Sequence, residues 1–269
     1  MTDAVALTFS WSLAEPAEPY RAPAPRTPLG VPAPKAVLLD VGMTLIHPSG
    51  AVMLAEIRAD LPGFRAGEQD CAAALVAAAE ARHYPLPVGL TDDEKVGAAW
   101  GALLGLDREM SLRIWKRVRS RPDFYSELDP ETEALLTGLR SRGVRVGAVS
   151  NGEGQLGAEL RHFGIDHLFD VALDSAVFGV EKPAPDMFRA ACSTLDASPE
   201  SCWFVGDGLI NDVFGSLAAG VAVSFHYDRY GLYSAIPGVH RITRLVEVLA
   251  ELDVRGPVPV PLHHTGRES

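Results

Sequence analysis

Short runs rich in Val, Ile, Leu and Phe recur along the chain, separated by longer stretches whose apolar residues fall at helical spacing. Runs that are apolar at every position belong to strands buried on both faces. The alternation therefore predicts an α/β fold, a doubly wound parallel sheet with helices on each side. The predicted strands are Ala36–Asp40, Val144–Ser150, Val171–Asp174, Cys202–Gly206 and Val221–Phe225. Asp129 as N-cap, Pro130 at the first helical position and Gly143 just past the end bracket one helix, and Pro185 with Asp186 opens another.

One interval breaks the alternation. From about Pro48 to Glu127 there is no strand-like run, only Ala-rich and amphipathic segments. They include a capping box, Thr91 with Glu94, and a basic stretch, Arg113, Lys116, Arg117, Arg119 and Arg121, around Trp115. The basic stretch is either a solvated face or a surface that meets an anionic substrate. Trp100 and Trp115 read as the module's own core. A helical module of residues 48–127 is thus expected inside a core formed by 35–47 and 128–255. Residues 1–34 carry Pro16, Pro19, Pro23, Pro25, Pro28, Pro32 and Pro34, a composition that predicts a disordered tail. A second flexible tail is expected at 256–269, where His263 and His264 read as inert rather than as metal ligands.

Composition narrows the function. With 47% hydrophobic residues, 269 residues can bury a sizeable core. Lys and Arg number 24 against 35 Asp and Glu, a net charge of −11 that repels phosphate backbones and anionic lipid. Neither nucleic acid nor a membrane is expected as a partner. No apolar run approaches the ~20 residues of a membrane span, and the N-terminus lacks the basic flank of a signal peptide. Cys71, Cys192 and Cys202 have no metal-ligand spacing and fit a reducing compartment, so a cytoplasmic location is expected.

Ligands of open parallel sheets bind outside the carboxyl ends of the strands, which makes the polar residues there the candidates. The first strand ends in Asp40, followed by Val41-Gly42-Met43-Thr44, and the second in Ser150-Asn151-Gly152. Glu181-Lys182-Pro183 comes after the third, and the fourth ends in Gly206-Asp207-Gly208, with Asn211 and Asp212 one turn on. Such a rim gathers Asp40, Asp207 and Asp212 with a hydroxyl and an ammonium opposite. Like charges that close are costly unless a cation bridges them. Oxygen-only ligands and an open position favour Mg2+ over Zn2+. The cation, Lys182 and Ser150 would converge on a group with several anionic oxygens, most naturally a phosphoryl, with Asp40 as candidate nucleophile.

In order and spacing, Asp40-Val41-Gly42-Met43-Thr44, Ser150-Asn151-Gly152, Lys182-Pro183 and Gly206-Asp207 with Asp212 resemble the four motifs of the haloacid dehalogenase (HAD) superfamily. The likeness covers about Ala36 to Val254, and the helical insertion resembles the type 1 cap of its phosphatase-like branch. The resemblance implies a Rossmann-like HAD core with an inserted helical cap domain, and a Mg2+-dependent phosphatase of small phosphorylated metabolites. It implies that Asp40 forms an aspartyl-phosphate, that Ser150 and Lys182 hold the transferring oxygens, and that Thr44 and Asn151 join them in binding substrate. Asp40, Asp207, Asp212 and the Gly42 carbonyl would be the metal ligands.

Family phosphatases carry an acid/base Asp two residues after the nucleophile, where this chain has Gly42. The expected handicap is ~10² to 10⁴ in rate, least for leaving groups that are already weak bases. His47, Glu56 or another residue of the helical module are the candidate stand-ins. Two other readings stay open: a phosphate-binding or regulatory protein with little turnover, and a 2-haloacid dehalogenase. Asp207 argues against the dehalogenase, because halide displacement needs no metal. Gly152-Glu153-Gly154-Gln155-Leu156-Gly157 matches a dinucleotide fingerprint on paper, but a nucleotide leaves Asp40, Lys182, Asp207 and Asp212 unexplained.

Overall fold

The computed structural model describes residues 32–253 apart from 86–88 and 235. The expected tails, with His263 and His264, lie outside these residues save for 32–34. The strands are β1 (Ala36–Leu39), β2 (Ile46–Pro48), β3 (Tyr125–Leu128), β4 (Arg145–Ser150), β5 (Val171–Asp174), β6 (Cys202–Gly206), β7 (Val223–Tyr227) and β8 (His240–Ile242). The first helices are α1 (Gly50–Asp60), α2 (Glu68–Ala78), α3 (Asp92–Leu103), α4 (Arg108–Arg119) and α5 (Thr132–Ser141). After them come α6 (Leu156–His162), α7 (Ser175–Phe178), α8 (Pro185–Thr194), α9 (Gly215–Ala218) and α10 (Glu247–Asp253). Among the described residues no helix is long and apolar enough to cross a membrane.

Six strands form one sheet in the order β5-β4-β1-β6-β7-β8, and every pairing is parallel. The continuous apolar runs follow from this arrangement. Successive side chains point to opposite faces, so Val37 and Leu39 join one core with Trp203 and Val205, while Ala36 and Leu38 join another with Phe188 and Phe204. The chain builds outward from β1 through β4 to β5, then crosses to β6 on the other side. The order reverses beside β1, which opens a crevice at the carboxyl rim there.

Sequence expectation and structure part company where strands are short. β7 begins two residues later than predicted, and β8 is a three-residue edge strand with no apolar run to announce it. β2 and β3 make a separate antiparallel pair, with β3 lying in the stretch expected to hold no strand. Its Ser126 and Glu127 are exposed, so no hydrophobic period marks it.

Between β2 and β3 the helices α1 to α4 share their own core, built on Met53, Ile57, Leu75, Trp100 and Trp115. The Thr91–Glu94 capping box forms as expected. α3 and α4 pack with almost no gap: a Cβ at Gly97 would lie 2.3 Å from Trp115 Cγ, and one at Gly101 1.9 Å from Ser111 Oγ. The basic stretch of α4 is mostly committed to acids, Arg113 and Arg117 to Asp60, Arg117 to Glu56, and Arg121 to Asp123.

Asp129 is not the N-cap the sequence suggested. α5 starts at Thr132 behind Glu131, and only Asp129 Oδ1 retains a capping contact, accepting the Glu131 amide at 2.9 Å. Its Oδ2 meets His47 Nε2 at 3.0 Å, the Tyr227 hydroxyl at 2.7 Å and Arg229 Nη1 at 2.7 Å. One buried carboxylate oxygen therefore ties β2, the segment after β3 and the end of β7 together. Breaking a buried ionic contact leaves its partners stranded and costs about 3–5 kcal/mol. Asp129→Ala is expected to lose that much stability in urea unfolding, and a loss below about 1 kcal/mol would mean the clamp carries little.

Candidate active site

The carboxyl ends of β1, β4 and β6 bring the sequence candidates together. Asp40 follows β1 and stays in register, its amide donating to the Val205 carbonyl at 2.9 Å. The next residues turn sharply: Met43 adopts φ 64°, a left-handed conformation unfavourable for a side chain of its size. That turn is held by the Met43 amide on the Ile46 carbonyl and by the Leu45 and Ile46 amides on the Val41 carbonyl. It brings the Thr44 hydroxyl 3.2 Å from Asp40 Oδ2 and 3.0 Å from Asp207 Oδ1, while the Asp207 amide donates to it at 3.1 Å. Thr44, expected to bind substrate, is thus engaged with two site carboxylates.

Lys182 arrives on the loop after α7. Its Nζ lies 2.5 Å from Asp40 Oδ1 and 2.7 Å from Asp212 Oδ1, fully enclosed and 5.6 Å from the Phe204 ring centroid. Asn151, also expected at the substrate, clasps this loop instead: its Nδ2 donates to the Lys182 carbonyl at 2.9 Å and its Oδ1 accepts the Lys182 amide at 2.8 Å. Ser150 ends β4 on the same rim and is buried.

After β6 the expected helix Ile210–Ala219 opens as a wider π-turn over Leu209–Phe214, in which the Val213 amide reaches back to the Gly208 carbonyl at 3.1 Å. Such insertions are frequent at functional sites. Here Asp212 folds back over the strand end and its Oδ2 accepts the Gly208 amide at 2.8 Å. The approach requires Gly206, since a Cβ there would lie 2.5 Å from Asp212 Cγ.

Oxygens of Asp40, Asp207 and Asp212 lie within 4.8 Å of one another, all three side chains buried, with one ammonium among them. Burial and the charges of Asp40 and Asp212 hold the Asp207 carboxyl well above its ordinary range. Burial likewise pushes Asp212 up to about 7, with Lys182 opposing and Asp40 adding to the effect. Burial alone would lower the Lys182 pKa, but Asp212 and Asp40 outweigh it and the ammonium is held above its ordinary value. An oxygen-only set with surplus negative charge is a donor set that fits a hard divalent cation.

The expected stand-ins for an acid are engaged elsewhere. His47 is enclosed and paired with Asp129, with burial lowering its pKa, and Glu56 bridges Arg117 and Arg121 on the helical module. The glycine-rich loop does not offer a dinucleotide cradle. Its Gly154 and Leu156 amides donate to the Asp174 carboxylate at 2.9 to 3.1 Å, and a Cβ on Gly152 would sit 2.7 Å from Asp174 Oδ2.

Two residues near the rim, Glu80 and Tyr125, escaped the sequence reading, and Arg119 of the basic stretch joins them. Glu80, from the module, accepts the Leu209 amide at 2.7 Å, and Arg119 reaches Glu153 at 3.1 Å. The ring of Tyr125 comes within 3.9 Å of where a Cβ on Gly42 would stand. Each joins segments far apart in the chain, which local pattern cannot signal.

Comparison with known proteins agrees with this architecture. Residues 34–220 match the family described as haloacid dehalogenase-like hydrolase. A phosphoserine phosphatase of Thermus thermophilus is 36% identical over 115 residues, 42% of this chain and 44% of that one. A phosphoglycolate phosphatase of Neisseria meningitidis is 30% identical over 183 residues, 60% of this chain and 77% of that one. The chain spans about half the length of the first curated relatives it matches. A HAD-hydrolase structure from Bacillus subtilis superposes with a TM-score of 0.56 at 21% identity, covering 82% of this chain and 99% of that one, a likeness of fold. With the family match extending over most of the sheet and the inserted helices, the chain belongs to the haloacid dehalogenase-like hydrolases.

Proposed function

We propose that this chain is a Mg2+-dependent phosphoric monoester hydrolase of small phosphorylated molecules, with Asp40 as nucleophile. The observation that carries the reading is the buried cluster of Asp40, Asp207 and Asp212 around the Lys182 ammonium at the carboxyl rim of the sheet. The relatives named as phosphatases of phosphoserine and phosphoglycolate support the substrate class. A cytoplasmic setting accords with three buried free thiols.

Thr44 and Lys182 fix the direction of the Asp40 carboxylate, and Asn151 fixes Lys182 through its backbone. Asp40 would attack phosphorus as the ester P–O bond breaks, while Lys182 and Ser150 hold the non-bridging oxygens. Water would then cleave the aspartyl-phosphate and restore the carboxylate. Mg2+ held by Asp40, Asp207, Asp212 and the Gly42 carbonyl would supply charge neutralisation at the phosphoryl oxygens. One feature favours a second reading, a phosphate binder with little turnover: Gly42 provides no acid for the leaving group.

Asp40→Asn is expected to lower hydrolysis of 4-nitrophenyl phosphate by more than about 10³-fold, and unchanged activity would remove the nucleophile assignment. In a panel of esters with Mg2+, phenyl and acyl phosphates are expected to turn over roughly 10²-fold faster than alkyl phosphates. Phosphate binding with no turnover of any ester would leave the second reading standing. Thermal melting tests the metal: Mg2+ is expected to raise the Tm. Asp207→Asn, which relieves buried charge, should raise the metal-free Tm by roughly 2–4 °C, the response to ~1 kcal/mol in a chain of this size. The same change should abolish most of the Mg2+ response; an unaltered response would exclude Asp207 as a ligand.

A further inference from the structure

Gly42 stands where an acid would be expected, and the space beside it is bounded by one aromatic ring. The nearest atom to a Cβ built on Gly42 is Tyr125 Cε1 at 3.9 Å. Tyr125 opens β3, the strand on which the chain returns from the helical module, and is level with Pro48 of β2. Phe124 packs edge-on against its ring, centroids 4.8 Å apart at 69°. The ring also packs against both the module core and the sheet core, which fixes it at the junction of the two. Burial pushes its phenol up to about 12, with the charges of Asp207 and Asp40 adding to the effect and those of Arg119 and Arg82 opposing it. A tyrosine hydroxyl is ordinarily neutral at physiological pH and can donate a hydrogen bond.

We propose that Tyr125 donates a hydrogen bond from its hydroxyl to the departing ester oxygen, from beside the space left by Gly42. The inference rests on the reading of Asp40 as nucleophile. The Asp40–phosphorus bond forms as the ester P–O bond breaks, and that bond's electron pair stays on the departing oxygen. The oxygen takes its proton from the water whose hydroxide then hydrolyses the aspartyl-phosphate, so the phenol is neutral before and after. A hydrogen bond to developing charge matters most when the leaving oxygen is strongly basic, as in an alkyl ester, and least for a nitrophenol.

The test is kcat for 4-nitrophenyl phosphate, phenyl phosphate and glycerol 3-phosphate with Mg2+. The proteins are the wild-type chain, Tyr125→Phe, Gly42→Asp, the double variant and Asp40→Asn. Tyr125→Phe is expected to lower turnover of glycerol 3-phosphate roughly 10- to 100-fold, the range for a hydrogen bond to charge. Its effect on 4-nitrophenyl phosphate should be at least tenfold smaller. In the Gly42→Asp background, where the new Cβ meets no atom nearer than the Tyr125 ring at 3.9 Å, the penalty on glycerol 3-phosphate should fall below about threefold.

An equal loss on all three esters, including one caused by a lowered Tm, would overturn the proposal, as would the same penalty in both backgrounds. Hydrolysis that Asp40→Asn abolishes but Tyr125→Phe leaves independent of the leaving group overturns this inference alone. Hydrolysis insensitive to Asp40→Asn, or absent in the wild-type chain, overturns it together with the reading beneath it.

Discussion

The ammonium of Lys182 sits between Asp40 and Asp212 in a space almost closed to water, and the rest of the rim is arranged around it. Charges removed from water are costly unless close opposite partners and further hydrogen bonds compensate them. Here compensation draws on three separate parts of the chain: the end of β1, the loop after α7, and the turn after β6. If any one of these moved by more than a hydrogen-bond length, a buried charge would be left alone. Asp207 goes beyond balance: burial and the charges of Asp40 and Asp212 resist its ionisation, an opposition that a bound cation would relieve. The apolar sheet supplies the rigidity such a site needs, because β1, β4 and β6 are held on both faces by packed side chains.

Much of this could be read from the chain alone. Buried parallel strands announce themselves as unbroken apolar runs, and the polar residue that ends each run must lie at the rim, so Asp40, Ser150 and Asp207 were legible. Lys182 and Asp212 follow from the resemblance to the family motifs, which sets their expected distance to those ends. Asp129 was visible but misread: an Asp before a Pro is a common helix signal, and only the folded structure shows His47, Tyr227 and Arg229 converging on its other oxygen. Strands β2, β3 and β8 were invisible for a different reason. Three or four residues paired at an edge or in a two-stranded ribbon are too few to show a hydrophobic period, even where, as in β2, every position is buried. Tyr125 fell with β3, grouped by composition into the helical stretch although its ring lies beside Gly42.

Gly42 and Gly206 show how the same residue serves opposite ends at one site. At Gly206 a side chain is excluded, because Asp212 occupies the space. At Gly42 a side chain would be tolerated and is absent. The first glycine is thus required by the geometry of the acidic cluster. The second leaves open space beside the acidic cluster, with the Tyr125 ring nearest to where its side chain would stand.

The pairing of β2 with β3 means that the chain leaves the sheet and comes back through adjacent strands, with Ile46 level with Leu128 and Pro48 with Tyr125. Everything between those strands is joined covalently to the sheet at two neighbouring points, and Glu80 and Arg119 reach the rim besides. Such a loop can be lengthened, shortened or replaced as an interchangeable cassette while the sheet keeps its register. The helices can then vary in sequence independently of the acidic cluster, so long as the ribbon at the neck is preserved.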